Sequence, residues 1–400
     1  MDEGKGKKKK RMLITSAVCI CLLLLLAAGT ACCISTRFGE LPDEAAQKHF
    51  EMLPNYSGGR FVNQEPAVMH LTKAAASTGL FRFLFTSENA PAFELPSVRL
   101  AKDSFSAKPE DFAVYWLGHS TLIFELNGIR FMTDPVFGNA APLPGVVRRY
   151  CESPLSRDEL PPLDFFIVSH DHYDHLEYKT IRFLRDTETH FIVPLGVGAR
   201  LRGWGIAPER IHELNWDDSI TFAGLKITAL TSRHFSGRSG KDRNRTLWAA
   251  FLIEGGGKKI FFGADCGYGK HFREIGRKHG PFDLVCLEID AWNERWPNNH
   301  MFPDEVIKAY QDLRGKTLLP IHWGVFDLAM HPGMNQSAKS WNTPGKQKSG
   351  SLHRKWEKKH CRSPQTRRNG GTSGKPPNFR VSRSKISCRM KVPDSGSSKK

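Results

Sequence analysis

Cysteine is scarce where it could shape the fold. Of nine cysteines, Cys19, Cys21, Cys32 and Cys33 lie in one N-terminal apolar run, and Cys361 and Cys388 lie near the C-terminus. Only Cys151, Cys266 and Cys286 remain for the body of the chain, with no CxxC spacing. That excludes a disulfide framework and a cysteine-built metal site. Acids are scarce as well, but only at the two ends. Residues 1–11 carry six Lys/Arg against two acids, and residues 332–400 carry 18 against two, Glu357 and Asp394. Of the formal +17, residues 12–331 therefore contribute −3. A mildly acidic middle argues against a DNA- or RNA-binding domain, so nucleic acid is not expected as a partner. Internal repeats of solenoid length are missing too.

What the chain has in plenty comes first at its N-terminus. Residues 12–33 are uncharged and follow Lys5 and the basic run 7–11. Twenty-two such residues are long enough to cross a bilayer, and the basic flank predicts an N-terminus kept inside. A cleaved signal peptide is the alternative. Gly29-Thr30-Ala31-Cys32 also has the look of a lipoprotein cleavage site with Cys32 lipidated. Each route makes residues 1–35 a signal or membrane anchor and puts the rest on the extracytoplasmic, periplasmic side. Residues 36–110 read as an extension, turn-rich at 55–61 and partly helical over 68–85. The apolar cluster at 80–85 suits core or, alternatively, a lipid-facing surface.

A catalytic domain is expected over 111–332. Apolar strands are predicted at 114–117, 122–126, 129–133, 164–168, 191–193, 225–230, 247–253, 259–262, 284–287 and 317–321. Asn127-Gly128 suits a two-residue hairpin turn between the second and third. Helical patterns fall at 177–186, 198–202, 271–278 and 304–313. Strands interleaved with helices predict an α/β layered domain.

The stretch His170-Asp171-His172-Tyr173-Asp174-His175-Leu176 follows the strand at 164–168. Residues two apart share a strand face, so His170 and His172 point together, and Asp174 and His175 follow in the turn. Imidazole and carboxylate are ligands that zinc accepts. Three later strands also end in a candidate ligand: 225–230 before His234, 259–262 before Asp265, 317–321 before His322. Seven ligands exceed one tetrahedral zinc and argue for two metals.

With Trp116-Leu117-Gly118-His119-Ser120, Thr133-Asp134-Pro135, Gly263-Ala264-Asp265-Cys266-Gly267-Tyr268, Gly280-Pro281-Phe282-Asp283 and Ile321-His322-Trp323-Gly324, the sequence resembles the metallo-β-lactamase superfamily. Within it, the set is similar to the branch of N-acylphosphatidylethanolamine-hydrolysing phospholipase D and ascorbate-6-phosphate lactonase-like proteins. The resemblance implies a four-layer αββα sandwich with two Zn²⁺ (or another divalent metal) along one edge. It puts His170, His172 and His234 on one ion and Asp174, His175 and His322 on the other, with Asp265 bridging. Asp174, His175, Asp265 and His300 are then the catalytic candidates. His300 either polarises a substrate oxygen or is an ordinary residue before a helix, and His119 reads as structural. Asp171 either orients a ligand imidazole or is a solvated turn residue. Cys266 stands where the family leads one to expect Ser or Thr.

The expected activity is a phosphodiesterase of phospholipase D type that cleaves N-acyl phospholipid-like substrates through a metal-bound hydroxide. A zinc lactonase or acyl hydrolase acting on a small ester is the alternative, and a non-catalytic metal-binding membrane protein the third.

Residues 333–400 read as an out-of-frame translation, expected to be poorly ordered. Codons for the branch's Trp-Asp-Glu-Pro, read one base out of frame after a proline, give Pro332-Gly333-Met334-Asn335-Gln336. The same offset turns a Thr-Pro-Lys-Met-Gly ending into His353-Arg354-Lys355-Trp356-Glu357. The rival is a basic tail on anionic lipid, worth about 1 kcal/mol per base. Restoring one base near codon 332 of the sequenced gene distinguishes the two.

Overall fold

The computed structural model describes residues 2–68, 84–87, 89–91, 95–105, 112–143 and 145–329. Most of the predicted helical stretch at 68–85 and the whole out-of-frame reading lie outside the described residues.

Two six-stranded sheets form the body. In the first, β3 (Phe112–Trp116), β4 (Leu122–Leu126), β5 (Ile129–Thr133), β6 (Phe165–Ile167), β7 (His190–Pro194) and β8 (Ile211–Leu214) lie in sequence order. In the second the order is β14 (Leu318–Ile321), β13 (Leu284–Glu288), β12 (Lys258–Phe262), β11 (Ala250–Gly255), β10 (Leu225–Leu230) and β9 (Ser219–Phe222). Each sheet starts with antiparallel pairs and finishes with parallel ones, beyond β5 in the first and beyond β12 in the second. A small hairpin, β1 (Tyr56–Ser57) with β2 (Arg60–Phe61), precedes them. Among the described residues the helices with given bounds are α1 (Asp2–Phe38), α2 (Glu44–Phe50), α3 (Tyr178–Phe183), α4 (Val197–Gly203), α5 (His271–His279) and α6 (Pro303–Asp312).

Alternation along the strands produces the layers. Phe165 and Ile167 of β6 enter the core between the sheets, while Phe166 and Val168 join Ile181, Leu201 and Trp204 on the outer face, with α3 and α4. In β11, Phe251 and Ile253 turn inward, and Ala250 and Leu252 pack outward with Phe272, Val306 and Leu313 of α5 and α6 and the turn after α6. Strands buried on both faces need an apolar residue at nearly every position, which is why these runs lack polar alternation. Phe124, Phe131 and Phe165 stack across three strands with ring centroids 4.9 Å apart at each step. Each such buried ring contributes roughly 1.5–3 kcal/mol. The architecture is the expected αββα sandwich. The Asn127-Gly128 turn also forms, with φ of 53° and 78°.

Four elements differ from expectation. Residues 247–249 do not continue β11, because Leu247 N bonds Leu195 O and Ala249 N bonds Ser169 O, tying this segment to the first sheet. β8 and β9 mix Glu, His, Ser and Thr with their apolar residues and so gave no clear apolar run. α1 continues past residue 35 to Phe38, and the side chains of its apolar stretch are exposed, Leu23 at 65 % and Leu26 at 68 %.

Candidate metal centre

The seven sequence-chosen residues leave the ends of different strands and meet at one edge of the sandwich. β6 delivers His170, His172, Asp174 and His175; β10 delivers His234; β12 delivers Asp265; β14 delivers His322. His170, His172, His234 and Asp265 form one group whose donor atoms lie within 4.8 Å of one another. His119, Asp174, His175 and His322 form a second, and Asp265, His300 and His322 a third. Asp265 stands between them. Its Oδ2 is 3.6 Å from His234 Nε2 and 3.9 Å from His170 Nε2, while its Oδ1 is 3.2 Å from His175 Nε2 and 3.0 Å from His322 Nε2.

Hydrogen bonds behind the imidazoles decide which nitrogen each presents. His175 Nδ1 donates to Asp134 Oδ2 at 2.7 Å, His234 Nδ1 to Asn299 O at 3.0 Å, and His170 Nδ1 to Ser169 Oγ at 2.9 Å. All three therefore turn Nε2 inward. His172 instead offers Nδ1, 2.8 Å from His170 Nε2. The backbone is strained here as well: His119, Asp134, Ala264 and His322 have φ of 55°, 39°, 48° and 62°. Such left-handed residues at strand ends are held only by the surrounding structure.

The electrostatics favour a bound cation. Burial opposes the charge on Asp265, yet His175 and His322 hold its carboxyl well below the usual range. Asp174 is held well below it in the same way, against burial, by His175 and a hydrogen bond from His119. Burial, aided by neighbouring imidazoles, pulls His170 and His234 well below the usual imidazole value, leaving lone pairs free. Burial also opposes charge on His175 and His322, but Asp265 and Asp174 raise both, His322 to about 10. His175 Nε2, His322 Nε2 and Asp265 Oδ1 are buried without a hydrogen-bond partner and face one another. A divalent ion among them would satisfy all three atoms and displace protons. The residues fit such a group.

Comparison with known proteins decides the family. A beta-lactamase superfamily domain is matched over residues 129–323. An uncharacterized protein of Mycobacterium tuberculosis is 40% identical over 288 residues, covering 70% of this chain and 77% of that protein. The chain belongs to the metallo-β-lactamase superfamily. It is similar as well to a Caenorhabditis elegans protein named N-acyl-phosphatidylethanolamine-hydrolyzing phospholipase D 1, at 32% over 274 residues, 63% of this chain and 77% of the relative. Outer membrane protein RomA of Klebsiella pneumoniae is 42% identical over 126 residues, 32% of this chain and 94% of RomA. As a member of this superfamily the chain is a metal-dependent hydrolase.

Sequence reasoning missed several partners in this site. His119, read as structural, joins the second group, with its Nε2 3.0 Å from Asp174 Oδ2. Burial pushes it down to about 3, so it stays neutral. Asp134, at the end of β5, orients His175, and Glu288, at the end of β13, takes His300 Nδ1 at 3.1 Å and Met301 N at 2.6 Å. Both carry the signal that revealed the others, an ionisable residue where a strand ends. Asp171 fits neither of its two readings. It is wholly buried, and its carboxylate is taken by Arg200 and by Gly237 N.

Proposed function

We propose that this hydrolase is a dinuclear zinc phosphodiesterase of phospholipase D type, acting on N-acyl phospholipid-like substrates at a membrane surface. One observation carries the dinuclear reading: the two oxygens of a single carboxylate, Asp265, face two separate sets of imidazoles. His170, His172 and His234 would hold one ion, Asp174, His175 and His322 the other, and Asp265 both. Zinc held by these residues would acidify water and stabilise charge growing on a phosphoryl oxygen. His300 presents Nε2 towards the site, 4.0 Å from Asp265 Oδ2, while Glu288 holds its Nδ1. That imidazole is placed to orient a substrate oxygen or pass a proton to a leaving one.

Two observations support the proposed substrate class, the similarity to the nematode phospholipase D and the N-terminal helix. Residues Met12–Phe38 are long and apolar enough to cross a membrane, and RomA is named an outer membrane protein. The unit boundaries proposed are anchor 1–35, extension 36–110, catalytic unit 111–332 and tail 333–400. Purified full-length protein in detergent, assayed against an N-acylated phospholipid, a simple phosphodiester and a lactone, tests the reading. Cleavage of the lactone alone would replace it with an acyl hydrolase, and no cleavage by the zinc-loaded protein would defeat it.

A further inference from the structure

The end of α1 and the metal-site motif are gripped by the same side chains. Arg200 of α4 donates from Nη1 to Phe38 O at 3.0 Å, and from Nε and Nη2 to Asp171 Oδ2 at 3.1 and 3.0 Å. Its Nη2 also reaches Asp242 Oδ2 at 2.6 Å. Arg238 donates from Nε to Arg37 O at 3.1 Å, and from Nη1 to Asp171 O at 2.7 Å and Leu176 O at 2.9 Å. Trp204 donates Nε1 to Thr36 O at 2.8 Å, and the Arg238 guanidinium lies 4.0 Å from the Tyr173 ring centre and 5.0 Å from that of Trp204.

Three successive carbonyls in the last turn of α1 thus find donors on the catalytic body. A helix C-terminus presents unsatisfied, partly negative carbonyls, which is what guanidinium groups satisfy best. Arg200, Arg238, Asp171 and Asp242 are all buried, so two cations and two anions balance without solvent. The approach is close. A Cβ on Gly203 would fall 2.7 Å from Glu40 Cγ and 2.9 Å from Glu40 N, and one on Gly39 would fall 3.0 Å from the Trp204 ring. Arg238 holds both ends of the stretch 171–176, the one that carries His172, Asp174 and His175.

We propose that Arg200 and Arg238 are positioning residues through which the seated end of the apolar helix sets the shape of the metal loop. Seating α1 and forming the metal site are then one event. The proposal rests on the metal-centre reading above. A planar guanidinium can hold two partners at a fixed angle, whereas a lysine ammonium keeps the charge and loses that geometry.

The test uses full-length protein in detergent, loaded with cobalt or zinc. It reads metal affinity by chelator competition and ligand geometry by the visible absorption of bound cobalt. Arg200→Lys and Arg238→Lys are expected to weaken metal binding about tenfold, the scale of lost support around metal ligands. Gly203→Ala, a wedge against Glu40, and Trp204→Phe, which removes the bond to Thr36 O, should each shift the cobalt spectrum although neither touches a metal-site residue. Arg202→Lys, exposed on the same helix, should match wild type. If the two helix-end variants fold, bind metal and give the wild-type spectrum, the proposal is overturned even where the arginine variants are weak. Wild-type protein that binds no metal would overturn both this proposal and the metal-centre reading.

Discussion

His175 donates Nδ1–H to Oδ2 of Asp134 at 2.7 Å, and neither side chain has any solvent exposure. The same carboxylate accepts from Ser169 N and Ser169 Oγ, both at 2.7 Å, and Ser169 Oγ in turn takes His170 Nδ1. One acid therefore orients an imidazole in each half of the centre. Asp134→Asn keeps the shape and loses the charge, so it should weaken metal binding roughly 10–100-fold. Chelator competition against wild type measures this. Unchanged affinity would show that Asp134 serves only the fold.

Asp265 and His234 should separate by stoichiometry. The Asp265 oxygens face both groups, whereas His234 Nε2 faces one. Wild-type protein is expected to hold two metal equivalents, Asp265→Asn to lose from both, and His234→Ala to retain one. Elemental analysis after gel filtration reads the count. A single equivalent in active wild-type protein contradicts the dinuclear reading.

Most of the sandwich was legible because strands buried on both faces must be apolar throughout, as at 165–168 and 250–253. The ligand set was legible for a related reason: each member lies in the segment that follows a strand end, His322 at once after β14 and Asp174 and His175 further on, in the turn after β6. β8 and β9 carry polar residues on partly exposed faces, so their patterns blur. The partners of the ligands were harder. Whether Asp171 meets an imidazole, solvent or Arg200 depends on α4, twenty-nine residues further along the chain, and no local spacing encodes that contact.

Glu288 and His300 should act on turnover without acting on metal content. Glu288 is fully buried and holds His300 through Nδ1 at 3.1 Å. Burial raises the Glu288 carboxyl, with His300 pulling it back down. His300→Asn and Glu288→Gln are expected to lower kcat by about 10²–10⁴-fold, the range of a lost acid–base group, with both metals retained. Wild-type kcat in His300→Asn would remove it from the chemistry.

The basic run before the apolar helix argues for a catalytic body outside the cytoplasm. Protease added to intact spheroplasts should therefore degrade the body. Full protection until the membrane is broken would reverse the orientation.

His271, at the start of α5, should make stability depend on pH independently of the metals. Burial, helped by the charge of Arg233, pulls it from 6.5 down to about 3, and its Nε2 lies 3.2 Å from Cys266 Sγ. The unfolded chain then binds a proton at pH values where the folded chain does not. Stability is full above about 6.5 and is lost as pH falls from there towards about 3. At about 1.4 kcal/mol per pH unit, the loss from this one group is roughly 2 kcal/mol at pH 5. His271→Gln cannot take up the proton. Its stability should fall less than that of wild type between pH 7.5 and 5, by about that amount. Denaturation of both proteins with metal removed, at the two pH values, isolates the difference. Parallel losses would mean that His271 already takes up its proton in the folded chain.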